Sequence, residues 1–223
     1  MPSFADSFPA ARAPGSPSLT RLAAAALSAL VVIAAPAMAQ DCSEKVAEAF
    51  TKQREARQFR MSTQMVDERG VVLMTIDYDL PFKMRQTIQV LNEPKPKEVV
   101  VVGDAAWANA GDGWARMDAE VTAEIREQMR VSVIEPGRDP LTYLCSGEAD
   151  VAGGKAAVFV GTERDKSGTP TPGLPERRIY VDSVSGLPLR NEVAPVGKPD
   201  KPFFRAAYSY PKDLVINPPT EVR

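Results

Sequence analysis

Between Arg57 and Met117 the sequence alternates apolar and polar residues with a period of two, almost without helical spacing. Successive side chains of a β-strand point to opposite faces of a sheet, so this alternation predicts consecutive strands with one apolar face. Short turn sequences separate the runs, such as Gly-Asp-Gly at residues 111–113. The chain is therefore expected to form a curled antiparallel sheet. Helices of the same chain or an apolar ligand must cover its apolar face.

An export signal precedes this sheet region. Arg12 and Arg21 form a basic segment, and residues 22–35 are an apolar run of 14 residues. That run is short for a membrane span. The Ala-Met-Ala of residues 37–39 has the pattern of a signal-peptidase site. We therefore predict that residues 1–39 are a signal peptide cleaved after Ala39 and that the mature protein is periplasmic. The alternative is a retained N-terminal anchor.

The composition of the remaining 184 residues limits the possible functions. This length suits one domain, residues 40–223. The mature chain has 25 basic and 28 acidic residues, a net charge of −3, so nothing favours nucleic acid as a partner. It also contains no further apolar run of membrane-spanning length, which predicts a mature chain that does not span a membrane.

Histidine is absent from the sequence, which removes several classes of active site. Ser-His-Asp and Cys-His nucleophiles, histidine-ligated zinc and a histidine general base are all excluded. Asp77 and Asp79 could act as paired carboxylates, but no ligand loop with a glycine accompanies them. We therefore predict no catalytic residues, no metal and no cofactor, and an enzyme is the least favoured function.

Helical spacing is found in two segments outside the strands. Residues 41–57 and 119–130 have amphipathic patterns, and Asp41 and Asp118 are placed to cap them. A proline at position 140 favours a third, short helical turn over residues 139–144. Together with the strands after residue 144, the pattern predicts about eleven strands and two or three helices. The fold class is thus α+β, mainly antiparallel β.

The two cysteines of the sequence, Cys42 and Cys145, both lie in the mature chain. Exported proteins fold in an oxidising compartment, where two cysteines are more often paired than free. We therefore predict a disulfide between them.

Methionine is concentrated on the apolar face of the first three predicted strands. The residues expected to face one interior are Met61, Met65, Met74, Ile76, Met84 and Ile88. Methionine adapts its shape to varied apolar partners, so these residues could form the wall of a ligand cavity. An ordinary hydrophobic core is the alternative. The second helix has only a narrow apolar stripe of Val121, Ile125 and Met129, which predicts a loosely packed lid.

The order of elements resembles the periplasmic lipoprotein carriers LolA and LolB and their relatives. That family has a leading helix, a long meander, a helix after a Gly-Asp-Gly-Trp turn, and further strands. The segments that carry the resemblance are residues 99–104, 111–114, 179–182, 186–190 and 208–219. It implies an open half-barrel of about eleven strands, lidded by helices, with a hydrophobic cavity for acyl chains and no enzymatic activity.

Two functions follow as hypotheses. The first is a periplasmic carrier that holds a lipid or an acylated lipoprotein in an apolar cavity. The second is a non-enzymatic regulatory or protein-interaction module with a filled core, which senses the state of the envelope and binds an envelope protein.

Overall fold

The computed structural model describes residues 40–67, 70–163, 169, 171 and 173–223. The predicted signal peptide, residues 1–39, lies outside the described residues. So does the tip of the predicted hairpin turn at residues 67–70. Of the helices in the described part of the chain, none is both long and apolar enough to cross a membrane.

The described residues form two α-helices, one π-helical turn and eleven β-strands. The helices are α1 (Ser43–Ala56) and α2 (Ala119–Met129), and the π-helical turn, Arg130–Ile134, continues α2. The first six strands are β1 (Gln58–Asp67), β2 (Gly70–Asp79), β3 (Lys83–Val90), β4 (Lys97–Val102), β5 (Ala105–Asn109) and β6 (Trp114–Arg116). The last five are β7 (Thr142–Val151), β8 (Gly154–Thr162), β9 (Glu176–Asp182), β10 (Pro188–Ala194) and β11 (Phe204–Ser209).

All eleven strands belong to one antiparallel sheet, in the order β6-β5-β4-β3-β2-β1-β11-β10-β9-β8-β7. Consecutive strands pair with each other except β6 and β7, and β1 pairs with the last strand, β11, as well as with β2. The sheet is open because β6 and β7 are at opposite edges and do not pair. The predicted fold class, an α+β half-barrel with helices over its face, is confirmed.

The two helices cover different parts of one face of the sheet, which we call the inner face. The residues of α2 and the π-helical turn pack on β1–β5, in a cluster built around Phe59, Ile76, Tyr78 and Met84. The residues of α1 pack on β7–β9, in a second cluster built around Cys42, Val46, Tyr143, Phe159 and Ile179. The inner face therefore has two apolar clusters, each with its own helix.

The chain before α1 is tied to the edge strand β7. The Cys42 amide donates to the Tyr143 carbonyl oxygen at 2.7 Å, and the Cys145 amide donates to the Gln40 carbonyl oxygen at 3.3 Å. Cys42 and Cys145 form the predicted disulfide, with their Cα atoms 5.6 Å apart. Because of this pairing α1 starts one residue later than expected. Its N-cap residue is Cys42, so the predicted cap position is wrong by one residue. The Asp41 carboxylate nevertheless accepts hydrogen bonds from the Ser43 amide at 2.9 Å and the Ser43 hydroxyl at 2.7 Å, so it does satisfy a first-turn amide of α1.

The predicted helical turn at residues 139–144 is also wrong. The Asp139 carboxylate accepts hydrogen bonds from the Tyr143 hydroxyl at 2.8 Å and from Arg177 at 2.9 Å, so it links chain segments and does not start a helix. Tyr143 already belongs to β7, where it pairs with Gly161. A Cβ atom at Gly161 would lie 2.4 Å from the Tyr143 ring, so only glycine leaves room for the ring.

The disulfide is expected to contribute strongly to stability. It closes a loop over a sequence separation of 103 residues. Replacing Cys42 and Cys145 together by alanine should lower the free energy of unfolding by about 2–4 kcal/mol, measured by urea denaturation. A reducing agent should shift the parent to the value of the variant and leave the variant unchanged. Two reactive thiols in the native parent would contradict the prediction.

Candidate functional site

The six predicted wall residues share the inner face. Met61 pairs directly with Ile76 across β1 and β2, and Met74 pairs with Ile88 across β2 and β3. Met84 pairs with Tyr78, and Met65 pairs with Val72. Residues that pair across antiparallel strands project to the same side of the sheet. The structure therefore brings these side chains to one surface, although their role as a cavity wall stays a prediction.

Burial divides these residues into two groups. Ile76 and Met84 are each 6% exposed and belong to the packed cluster beneath α2. Met61 and Met74 are half-buried and pack against the rim of this cluster. Met65 and Ile88 are half-buried as well, and they lie toward the β1–β2 and β3–β4 turns. The inner face is thus filled at the end near the β2–β3 turn. Toward the other end the half-buried side chains lie beside Val72 and Val90, which are 4% and 3% exposed, so the cover there is uneven.

Two polar side chains lie among the methionines and were not among the predicted wall residues. Gln86 pairs with Ile76 on β2, and its side-chain amide donates to the Met74 sulfur at 2.8 Å. Thr63 pairs with Met74 and is 4% exposed. The alternation of β1 and β3 already placed both positions on the apolar face, so the period-two pattern could have identified them. They give a largely apolar surface two groups able to form hydrogen bonds.

Helix α2 covers this cluster through few side chains. Asp118 caps it as predicted, accepting a hydrogen bond from the Val121 amide at 3.0 Å. Of the predicted lid stripe, Ile125 and Met129 pack on the cluster. Val121 is half-buried and does not belong to the cluster. Thr122 is 4% exposed and was missed, because its hydroxyl is polar. That hydroxyl donates to the Asp118 carbonyl oxygen within the helix, at 2.7 Å.

The π-helical turn adds contacts that the sequence pattern did not reveal. Val133 and Ile134 pack on the same cluster as α2, although they continue the helix beyond its predicted end. An ion pair between Arg126 and Asp104, at 2.5 Å, joins the outer side of α2 to the turn between β4 and β5. Asp104 is 87% exposed, so solvent screens this pair and it stabilises the helix little. Helix α2 and the π-helical turn are therefore held on the sheet mainly by a small number of apolar contacts.

Polar contacts fix α1 to the other part of the inner face. The Gln53 amide donates to the Tyr210 hydroxyl at 3.2 Å, and that hydroxyl donates to the Pro188 carbonyl oxygen at 2.7 Å. Arg177 donates to the Asn191 side-chain oxygen at 3.0 Å and stacks over the Phe50 ring, 5.9 Å from its centroid. Together with the disulfide, these contacts anchor α1 more firmly than α2.

Arg177 was missed as an inner-face residue, although the pattern contained the signal. It alternates in β9 with outward-facing residues and shares its face with Ile179 and Val181. An ion pair with Asp139, at 2.9 Å, partly neutralises its charge.

Two tyrosines of the inner face have raised pKa values because they are buried. Burial raises the pKa of Tyr78 well above its usual range. Burial also raises the pKa of Tyr143, with Asp139 adding to the effect and Arg177 opposing it. Desolvation disfavours the charged form of a buried acid, so both side chains stay neutral at any physiological pH.

A small cleft lies at the filled end of the inner face. Its volume is about 210 Å³, and it is lined by Arg54, Arg57, Leu80, Pro81 and Ile134. The Arg57 guanidinium donates twice to the Leu80 carbonyl oxygen, at 2.9 and 3.1 Å. These bonds join the end of α1 to the β2–β3 turn, so this end of the half-barrel is closed by polar contacts.

Comparison with solved structures identifies the fold. Lipoprotein LppX of Mycobacterium tuberculosis is 12% identical and has a TM-score of 0.55, over 78% of this chain and 97% of LppX. LprF of Mycobacterium bovis is 11% identical and has a TM-score of 0.52, over 79% of this chain and 96% of LprF. The chain has a LolA-like fold. The resemblance drawn from the sequence is confirmed at this level.

A further match aligns only loosely. The LolA superfamily protein NE2245 of Nitrosomonas europaea is 11% identical, over 79% of this chain and 96% of NE2245, with a TM-score of 0.27. No family model matches the sequence, and no curated protein matches it either. The likeness to LppX and LprF therefore concerns the fold alone.

The difference in burial along the inner face can be measured. Met74→Ala should lower the free energy of unfolding by less than about 1.5 kcal/mol, because Met74 is only half-buried. The matched control is Met84→Ala, which empties space in a packed cluster and should cost about 2–5 kcal/mol. Both values come from urea denaturation. Equal, large losses would mean that the inner face is a solid core along its whole length.

Proposed function

We propose that this protein is a periplasmic carrier that holds the acyl chains of a lipid or an acylated lipoprotein against its inner face. The observation that supports this most strongly is the group of half-buried side chains beside the packed cluster. These are Met61, Met65, Met74 and Ile88, which meet across three paired strands. An apolar ligand would cover apolar side chains that project from the inner face and are not fully buried.

The energetics suit an acyl chain. Each buried CH₂ group contributes about 0.8 kcal/mol, so a long chain gains several kcal/mol without any directional contact. Methionine side chains are flexible and polarizable, so they can repack around chains of different length. The amide of Gln86, which now donates to the Met74 sulfur, offers a donor to a carbonyl or ester oxygen of the cargo. Binding of this kind requires no catalytic group.

Helix α2 is the element that would move to admit the cargo. It rests on the cluster through Ile125 and Met129, and its ion pair with Asp104 is exposed. By contrast, the disulfide at Cys42 and the Gln53–Tyr210 hydrogen bond hold α1. Displacing α2 and the π-helical turn would uncover the rest of the inner face while α1 stays in place.

The location and partners follow from the same features. The disulfide requires an oxidising compartment, which agrees with export to the periplasm. The cargo would be a lipid or an acylated lipoprotein, delivered by or to another envelope protein. The second hypothesis is an interaction module with a filled core. Ile76 and Met84 are packed as such a core would require, and the hypothesis holds if the same packing extends over the whole inner face.

Adjacent residues of β2 provide a matched pair of variants. Met74 projects to the inner face, whereas Leu73 projects to the opposite face and is 40% exposed. Met74→Arg places a charge where acyl chains are proposed to lie, so it should reduce binding of a fluorescent fatty acid by about tenfold or more. Leu73→Arg adds the same charge to the same strand and should leave binding unchanged.

The outcome separates the two hypotheses. Binding is measured on delipidated mature protein, after circular dichroism shows that both variants fold. Loss of binding in both variants, or in neither, would place the fatty acid elsewhere. No binding in the parent would favour the interaction module.

A further inference from the structure

The face of the sheet opposite α1 and α2, which we call the outer face, is crossed by the C-terminal segment. This segment, residues 211–223, is called the strap. Near its start, the Gln58 side-chain amide donates to the Leu214 carbonyl oxygen at 3.2 Å. At its end, the Arg223 amide donates to the Trp114 carbonyl oxygen at 2.9 Å. The strap is therefore attached at both ends, to β1 and to the edge strand β6.

A cleft of about 360 Å³ lies between these two attachments. This volume falls within the range of small-molecule sites, roughly 300–1,000 Å³. Its lining consists of Arg85 and Trp114 from the sheet and Asn217, Pro218, Pro219, Thr220 and Glu221 from the strap. The walls thus provide one guanidinium, one indole ring, two prolyl rings and several polar groups able to form hydrogen bonds.

Arg85 has no partner for its charge in the described part of the chain. Its neighbour on β2 is Asp77, but Arg60 occupies both Asp77 oxygens, with Nε–Oδ1 at 2.6 Å and Nη2–Oδ2 at 3.0 Å. Its neighbour on β4 is Val100, an apolar side chain with no exposed surface. The Arg85 Nε atom is buried, and no described residue accepts its hydrogen. The Arg85 charge thus has no counter-charge among the described residues, and an anion in the cleft would supply one.

We propose that this cleft binds a small organic carboxylate that carries an apolar or aromatic body. The carboxylate would accept hydrogen bonds from the planar guanidinium of Arg85, whose fork geometry fits two oxygens. The body would lie against the Trp114 ring and the prolines of the strap. Glu221 also lines the cleft, and its negative charge disfavours ligands that carry more than one charge. The site is on the face opposite the proposed cargo surface and does not depend on it.

The two tryptophans of the chain allow a direct test. Trp114 lines the cleft, whereas Trp107 belongs to β5 and does not. In ¹⁵N–¹H spectra of the mature protein, benzoate should shift the Trp114 indole signal in a saturable manner and leave Trp107 nearly unchanged. Acetate lacks the body, benzyl alcohol lacks the charge and phenyl phosphate carries a second charge, so each should bind more weakly. A Trp114→Phe variant assigns the signals.

Two arginine variants decide whether Arg85 is the anion-binding group. Arg85→Gln should weaken benzoate binding by about tenfold or more, because it removes a charge-assisted hydrogen bond. Arg116→Gln is the matched control. Arg116 is an exposed arginine of the same sheet that does not line the cleft, so its loss should leave binding unchanged. If Arg85→Gln does not fold, Arg85→Lys keeps the charge, loses the fork and should bind severalfold more weakly.

Several results would overturn the proposal. One is a Trp114 signal that stays unchanged at benzoate concentrations up to about 10 mM, about tenfold above a Kd of 1 mM. Another is equal affinity in the parent and in the folded Arg85 variant. Glu221→Gln should strengthen binding by removing a like charge. Binding seen only in that variant would mean that Glu221 itself occupies Arg85, and the proposed site would not exist in the parent.

Discussion

The pairing of the first strand with the last holds the whole structure together. Strands β1–β6 form one run of hairpins and β7–β11 form another, and the β1–β11 ladder joins them. In this ladder Met61 lies opposite Tyr208 and Thr63 lies opposite Ala206, so the inner faces of the two runs become one surface. Without it, each helix would cover a separate small sheet. The methionines of β1 are at the centre of the inner face only because this contact forms.

The sequence predicted the local parts of this architecture because their signals are local. Alternation and turn residues located the hairpins, and the Asp118 cap located α2. The β1–β11 register carries no such signal, because its partners are about 150 residues apart. The prediction of a helical turn at residues 139–144 failed for a related reason. Asp139 looks like a helix start in the sequence, but in the structure it bonds to Tyr143 and to Arg177, which is distant along the chain.

For the site, alternation placed the wall residues on a face but could not tell which of them would be covered. Ile76 and Met84 are buried because Met129 and the π-helical turn reach them, and no periodic pattern predicts that turn. The sequence could not predict the cleft at Arg85 for a similar reason. It depends on the strap returning across the sheet to Trp114, a contact between residues that are far apart in sequence.

The inner face is unevenly covered: it is packed near Tyr78, whereas Met65 and Ile88 stay half-buried beside the buried Val72 and Val90. The central claim is that an acyl chain completes it in the cell. The most direct measurement is mass spectrometry of lipids extracted from the mature protein after purification from a periplasm. We expect an acyl lipid or acylated peptide in near-equimolar amount. No lipid above the level found with an unrelated periplasmic protein purified in the same way would contradict it.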